Sequence, residues 1–306
     1  MKNLIKKALV TAGLVAATAA SASNMYIQLP TNSYDVAVSV GSVVIRDASN
    51  VDANTKTGIF NEFGFSQILA TSVYGLADGS VYGSFYDTNV PTELASLGIP
   101  TMGPSMAGGN SVSLSLPLAN GSQSDLDALS PLTPPINSDS EGYLLTWSLQ
   151  ILYHFDGNLT ATGPNYTGGW FEVWFDDLSN GVGGDRVVIS GVLDHSVLEA
   201  ADLTLFLNIT WAEAGFLWVE DENGDFVDAS TQATTLRLDT NVDPAIPTAN
   251  QLLVVMDSLG LPQAVRQTRL DGSITPELRV PEPSSIALLG LGLFGLAGSA
   301  RRRNKA

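Results

Sequence analysis

Asp221, Asn223 and Asp225 have the residue types and the spacing of a calcium-binding loop. They match positions 1, 3 and 5 of a helix–loop–helix calcium site, which binds the ion through oxygen ligands. That site also requires Gly at position 6 and a bidentate Glu at position 12, where this chain has Phe226 and Gln232. The pattern is therefore incomplete, and a hairpin turn explains the same residues, with calcium as the alternative.

A second acidic loop contains Asp176, Asp177 and Asp185, separated mainly by Gly, Ser and Asn. Carboxylates at both ends of a loop can surround a hard cation such as calcium. The same composition is also typical of a plain connection between two strands. We therefore expect no cofactor, and calcium at these three residues is again the alternative.

The sequence contains no recognisable catalytic motif. It has no cysteine, which excludes disulfides, thiolate zinc sites and cysteine nucleophiles. Its two histidines, His154 and His195, are too few for a three-histidine zinc site. The motifs G-x-S-x-G and H-E-x-x-H are absent. We expect a protein that is not an enzyme; a secreted hydrolase would need a cleft with two carboxylates about 5 to 10 Å apart.

Four tryptophans are candidates for contact with sugar rings: Trp170, Trp174, Trp211 and Trp218. An exposed indole can stack on the apolar face of a sugar, whereas tryptophans of a β domain usually pack in its core. A carbohydrate-binding adhesin is therefore the alternative function for this chain.

The charge of the chain is strongly acidic. Between the two terminal segments described below, residues 23–279 hold seven basic and 30 acidic residues, a formal net charge of −23, against −17 for the whole chain. A polyanion binder needs clustered Lys and Arg, so nucleic acid is excluded as a partner. Acidity favours solubility outside the cell and attracts cations.

Residues 23–279 have the pattern of a mostly β domain, a β-sandwich or jelly roll. Apolar residues alternate over strand lengths, with β-branched and aromatic enrichment, in 34–40, 80–86, 111–118, 143–155, 170–175 and 186–193. Asn223-Gly224 between two apolar runs predicts a hairpin with a type I′ turn. Short helices are predicted at 92–97 and 196–203. A long surface loop is expected over 100–135, which is rich in Gly, Ser and Pro.

The N-terminus has the three parts of a secretory signal peptide. Basic residues stand among the first seven, an apolar stretch covers 8–20, and Ala20-Ser21-Ala22 provides an A-x-A cleavage site. The apolar stretch is shorter than the roughly 20 residues that a membrane span requires. We expect residues 1–22 to be removed by cleavage between Ala22 and Ser23.

The C-terminus has a short motif, an apolar segment and a basic end. The motif is Val280-Pro281-Glu282-Pro283-Ser284, the uncharged segment ends at Ala300, and Arg301, Arg302 and Arg303 follow. A helix over 284–300 would measure about 25 Å at 1.5 Å per residue, near the lower limit for a membrane span. The arginines should stay in the cytoplasm, which leaves the body outside the membrane.

Residues 280–306 resemble the PEP-CTERM sorting signal of Gram-negative bacteria, whose substrates are processed by membrane enzymes called exosortases. The resemblance rests on Pro281-Glu282-Pro283, the apolar segment and the arginine cluster. It implies export by the Sec machinery, transient insertion through the C-terminal helix, and removal of the tail by an exosortase. It also implies release to the cell surface or extracellular matrix, next to exopolysaccharide. Floc-forming proteins with β-rich bodies are among the family's members, so a role in biofilm or floc formation is expected.

Overall fold

The computed structural model describes residues 23–278, except 47, 49–50, 52, 77–78, 100–111, 116–140, 179–184 and 243. The predicted signal peptide, the sorting tail with its helix, and almost all of the predicted loop over 100–135 lie outside the described residues. Within the described residues, no helix is long and apolar enough to cross a membrane.

The described part of the chain is mostly β, as predicted. Its one α-helix, α1, covers Pro91–Ser96, close to the predicted 92–97. The strands are β1 Met25–Ile27, β2 Val38–Val40, β3 Val43–Arg46, β4 Phe63–Gly75, β5 Gly83–Thr88, β6 Val112–Ser115, β7 Trp147–Thr160, β8 Gly163–Asp177, β9 Arg186–Glu199, β10 Asp202–Ala212, β11 Leu217–Glu220, β12 Phe226–Asp228, β13 Thr234–Asn241, β14 Leu253–Met256 and β15 Pro262–Leu278.

The main sheet is antiparallel and closes on itself. Its order is β14-β15-β13-β10-β9-β8-β7-β5-β4-β6, and β15 also pairs with β4 from Gln263 to Ile274. Since β15 pairs with β13 over 272–278 as well, eight strands form a continuous ring of hydrogen bonds. The large antiparallel sheet is consistent with the predicted sandwich-like body. Its core lies inside the ring, between facing strands.

Glycines opposite phenylalanines allow the strands to approach closely inside this ring. Gly191 lies directly opposite Phe171, and a Cβ atom on Gly191 would stand 2.5 Å from the Phe171 ring and 2.1 Å from the carbonyl oxygen of Asn208. Two further pairs repeat the arrangement: Phe85 with Gly157, and Phe65 with Gly272. The ring of each phenylalanine fills the space that the missing side chain leaves, as in designed curved sheets.

The long strand β7 confirms the predicted alternation of buried and outer residues, although its start was predicted too early. Trp147, Leu149, Ile151, Tyr153 and Phe155 are all buried, as expected from the two-residue period. The strand begins at Trp147, because residues 141–146 form turns in which Glu141 and Leu144 have positive φ. Those turns place the Tyr143 ring 4.7 Å from the Trp147 ring, edge on.

The helix predicted at 196–203 is wrong. Strand β9 continues to Glu199, and β10 begins at Asp202, so the two strands form a hairpin with a turn at Ala200-Ala201. Ala200 takes a positive φ of 59° in that turn. Leu198 and Leu203 face each other across the hairpin, and this cross-strand pairing outweighs the helix propensity of the local sequence.

The predicted Asn-Gly hairpin is present as the pair β11 and β12. These strands and β1 form a small second sheet, which packs on the same core through Met25, Leu217 and Val219. The turn is not type I′, because Gly224 has a φ of 85° while Asn223 has none in the positive range. The chain makes a longer turn that is closed by the Asp221 amide, which donates to the Asp225 carbonyl oxygen at 2.8 Å.

Candidate functional site

Two of the candidate tryptophans lie on the outer face of β8. Trp170, Glu172 and Trp174 point outward, in alternation with the buried Phe171 and Val173. At about 3.3 Å per residue, the two indoles are separated by roughly 13 Å along the strand. The Trp174 Nε1 atom donates to the Glu172 carboxylate at 3.0 Å, which fixes the orientation of that indole.

Trp211 of β10 belongs to the same outer face. It pairs with Ser190 of β9, which in turn pairs with Glu172 of β8. Two strand spacings of about 4.8 Å therefore separate Trp211 from the line of Trp170 and Trp174. Trp211 is 50% exposed, the highest value among the three. We call these three residues the tryptophan face.

Trp218 lies elsewhere. It belongs to β11 of the small sheet and stacks on Tyr26, with ring centroids 5.8 Å apart and an interplanar angle of 6°. Its Nε1 atom donates to the carbonyl oxygen of Gly215 at 3.0 Å. Trp218 is therefore fixed by structural contacts, and the fold does not bring it to the other three.

At the end of β8, Asp176 and Asp185 lie close together, and the Asp185 carboxylate accepts from the backbone amide of Asp177 at 3.2 Å, whereas the Asp177 carboxylate points elsewhere. The Asp176 carboxylate accepts hydrogen bonds from Gln150 at 2.8 Å and Ser148 at 3.3 Å, on the outer side of β7. Asp177 is buried and accepts from the Tyr34 hydroxyl at 3.2 Å. Burial and the neighbouring Asp185 raise the pKa of Asp176.

The carboxylate of Asp221 holds its own hairpin turn. It accepts from the backbone amides of Asn223 at 2.8 Å and Asp225 at 3.0 Å, and the Asn223 amide group donates to its second oxygen. The Asp225 amide, with the Asn223 amide, lowers the pKa of Asp221. Among the described residues, no three acidic or histidine side chains converge on a common point in either loop. Calcium at these loops stays a prediction.

Each histidine is held by a carboxylate and an aromatic ring. His154 Nδ1 lies 2.8 Å from the Glu93 carboxylate of α1, and its ring stacks on Tyr86 at 5.0 Å. His195 Nδ1 lies 3.0 Å from the Asp194 carboxylate, and its ring stacks on Phe206 at 4.3 Å. Both therefore have structural contacts.

An open groove of about 720 Å³ on the outer surface collects five carboxylates. It is lined by β9, β10, β13 and β15 and contains Glu62, Glu199, Asp202, Asp239 and Asp271. The Asp239 carboxylate already contacts Arg237 at 3.1 Å and accepts from Thr204 at 2.6 Å. Alternation along the strands could not reveal this groove, since its acids come from separate parts of the sequence.

Asp87 is a buried acid that the sequence did not indicate. It points into the ring, where the Tyr166 hydroxyl donates to one of its oxygens. Its other oxygen, Oδ1, is buried without a hydrogen-bond partner among the described residues, beside a cavity of about 50 Å³. Burial raises the pKa of Asp87 to about 6. The only local signal is that Asp87 follows the buried Phe85 by two residues.

One comparison with known proteins gives a match, and it lies at the C-terminus. The family model described as the PEP-CTERM protein-sorting motif matches residues 279–303. Neither curated proteins nor solved structures give a match. The motif defines an exported protein whose membrane-anchored precursor is processed by an exosortase. The chain is a PEP-CTERM domain-containing protein, as the resemblance predicted.

Proposed function

We propose that this is a non-enzymatic surface or matrix protein, exported through Sec and released by an exosortase into the exopolysaccharide layer of a Gram-negative cell. The observation that carries the proposal is the sorting motif at residues 279–303. In the precursor, the apolar segment 284–300 holds the chain in the inner membrane. After processing, the body contributes to biofilm or floc formation.

The body's composition supports this destination. A formal charge of −23 over residues 23–279 keeps the protein soluble among other matrix components. The absence of cysteine makes its folding independent of thiol oxidation, and the closed sheet with its large buried core supplies stability instead.

The test is the intact mass of the protein recovered from culture, with and without the exosortase. We expect a species that begins at Ser23 and ends near Pro281-Glu282-Pro283 only when the enzyme is present. A membrane-bound species that keeps Arg301, Arg302 and Arg303 in both strains would contradict exosortase release. Such a species would identify a tail-anchored protein instead.

The tryptophan face supports a more specific function, the binding of a polysaccharide chain. Trp170, Trp174 and Trp211 present indoles at separations of roughly 10 to 13 Å on one outer surface, so an extended glycan can contact more than one of them. An indole stacks on the apolar face of a pyranose ring, while polar neighbours accept from its hydroxyls.

The charge of the tryptophan face determines which charge a bound glycan should carry. Its fixed charges on β8 are the carboxylates of Glu172 and Asp176, which repel uronic acids and attract amines. Ser190, opposite Glu172, adds a neutral polar group. We therefore expect neutral or amine-bearing polysaccharides to bind better than uronic acid polymers.

Affinity electrophoresis in gels with a neutral, an amine-bearing or a uronic acid polysaccharide tests this function. Trp211→Ala should weaken retardation by about tenfold, the order expected for one lost stacking contact. Tyr82→Ala is the matched control, because Tyr82 is 52% exposed but lies outside the tryptophan face. Equal loss in both variants, or no retardation of the unmodified protein by any of the polymers, would contradict glycan binding at this face.

A further inference from the structure

The hairpin formed by β14 and the start of β15 exposes the most apolar surface of the described chain. Leu253, Val254, Met256, Leu259 and Leu261 are exposed by 55 to 82%. Soluble proteins seldom expose so many large apolar residues together unless they contact a partner. None of these residues belongs to the tryptophan face or the carboxylate groove.

Strand β14 also has a free hydrogen-bonding edge. It is the terminal strand of the main sheet and pairs only with β15, over Leu253 to Met256, among the described residues. Natural edge strands are usually protected by Lys, Pro or a bulge, because an open edge accepts another strand. Residues 253–256 contain none of these protections.

The turn of this hairpin is firmly held. The Asp257 carboxylate accepts from the backbone amides of Leu259 at 2.9 Å and Leu261 at 2.8 Å. The Asp257 amide donates to the Leu261 carbonyl oxygen at 2.9 Å, and Gly260 takes a φ of 75°. The exposed side chains therefore lie on an ordered turn, whose backbone hydrogen bonds are made within the hairpin itself.

We propose that β14 is the interface between two copies of this chain, which pair antiparallel across a twofold axis. Two identical antiparallel edges are self-complementary, because each residue's donor and acceptor meet the same groups of the other copy. Residues 252–262 carry a single charge, Asp257, in a body of −23. The hairpin is therefore a surface on which two acidic copies can meet with little repulsion.

A lipid surface fits the same apolar residues less well. Insertion of the turn would remove water from Asp257, whose carboxylate stands between Met256 and Leu259. Anionic lipid would also repel the acidic body. Pairing with a second copy would bury Leu253 to Met256 and leave Asp257 in water at the end of the strand pair.

Single cysteines provide the sharpest test, because the chain has none of its own. Leu253→Cys, Val254→Cys and Val255→Cys each place one thiol along β14 in the exported protein. In an antiparallel pair, the residue nearest the twofold axis lies opposite its own copy, with the two Cα atoms within about 7 Å. Cysteines at that position form a disulfide dimer on mild oxidation. Val197→Cys, at a residue 40% exposed on β9, is the matched control.

We expect one of the three β14 positions to give dimers rapidly, and Val197→Cys to give them only slowly. Sedimentation of the protein with its natural residues should show a concentration-dependent dimer, weakened at least about tenfold by Val254→Lys and unchanged by Val197→Lys. Monomer at every concentration, or equal crosslinking at 197 and on β14, would overturn the proposal. The proposal would also be overturned, in favour of a lipid surface, if the protein formed no dimer but bound phosphatidylglycerol vesicles and Val254→Lys abolished that binding. None of these outcomes depends on glycan binding.

Discussion

Trp211 lies opposite Ser190, although Ile209 lies opposite the adjacent residue Gly191, so β10 has one residue more than β9 between these two pairs. The extra residue in β10 is Thr210, which forms a β-bulge. If Thr210 paired regularly with Ser190, strict alternation from the buried Leu207 would turn Trp211 into the core. With the bulge, Trp211 points outward and Ala212 is buried. The β-bulge at Thr210 therefore keeps Trp211 opposite Ser190, on the tryptophan face.

This orientation predicts a sharp contrast between two tryptophans. Trp147 is fully buried, stacks on Phe175 at 5.4 Å, and donates from Nε1 to the Glu141 carbonyl oxygen at 2.8 Å. Trp147→Ala should lower the free energy of unfolding by about 3 to 5 kcal/mol. Trp211→Ala should change it by less than about 1 kcal/mol, because half of the side chain is already solvated. Urea unfolding followed by circular dichroism measures both, and a large loss in Trp211→Ala would mean that its role is structural.

The paired glycines and phenylalanines predict that a single methyl group added at one of these glycines strongly lowers the free energy of unfolding. Gly272→Ala would place Cβ 2.0 Å from the Asp239 carbonyl oxygen and 2.7 Å from the Phe65 ring, so strands β13 and β15 must separate. We expect a loss of about 2 kcal/mol or more in the free energy of unfolding. Gly168→Ala is the control, because nothing lies within 4 Å of its added Cβ. Similar thermal midpoints for both variants would show that the sheet yields easily at Gly272.

Asp87 should make the fold less stable as the pH rises toward neutrality. Its folded pKa of about 6 exceeds the ordinary value of 3.8, because burial disfavours the charged form. The resulting stability is fully present below about pH 4 and is lost as the pH rises through 6. Asp87→Asn keeps an acceptor for Tyr166 but cannot ionise, so the variant should lack this loss, which is on the order of 3 kcal/mol.

Urea unfolding of both proteins at several pH values between 4 and 8 measures this difference. Asp271→Asn serves as the control, since its carboxylate is largely exposed. If the free energy of unfolding depended on pH in the same way for the unmodified protein and Asp87→Asn, Asp87 would ionise in the folded state without destabilising it.

The contact between α1 and β7 should be visible in the titration of His154. Burial alone lowers the pKa of His154, but hydrogen bonds and charge from Glu93 and Asp156 overcome it and raise the pKa. The stability that this contact adds is present below the unfolded pKa and is lost as the pH rises through the folded one. Glu93→Gln should lower the pKa of His154, as measured from its ring protons by NMR. Glu220→Gln is a distant control, and an unchanged titration in Glu93→Gln would mean that the two side chains do not interact in solution.

The alternation of apolar residues was sufficient to predict the strands whose partners keep strict register. In β7, every residue on the predicted face from Trp147 to Phe155 is buried, because adjacent side chains of a strand must point to opposite sides. The same reasoning failed at 196–203, where local helix propensity competed with pairing between Leu198 and Leu203. Pairing of this kind depends on the neighbouring strand, which one segment of sequence does not contain.

The sequence by itself determined that the protein is an exported exosortase substrate and that its body is mostly β. The sorting motif is a linear signal that an enzyme reads as a short segment, so Pro281-Glu282-Pro283 and the arginines identify it without any fold. Only the tertiary structure decided which residues share a surface. Closure through β15, the bulge at Thr210 and the inward turn of Asp87 arise from register between strands far apart in the chain. Because register is set by the whole ring of hydrogen bonds, the tryptophan face and the free edge of β14 appear only when all strands are in place.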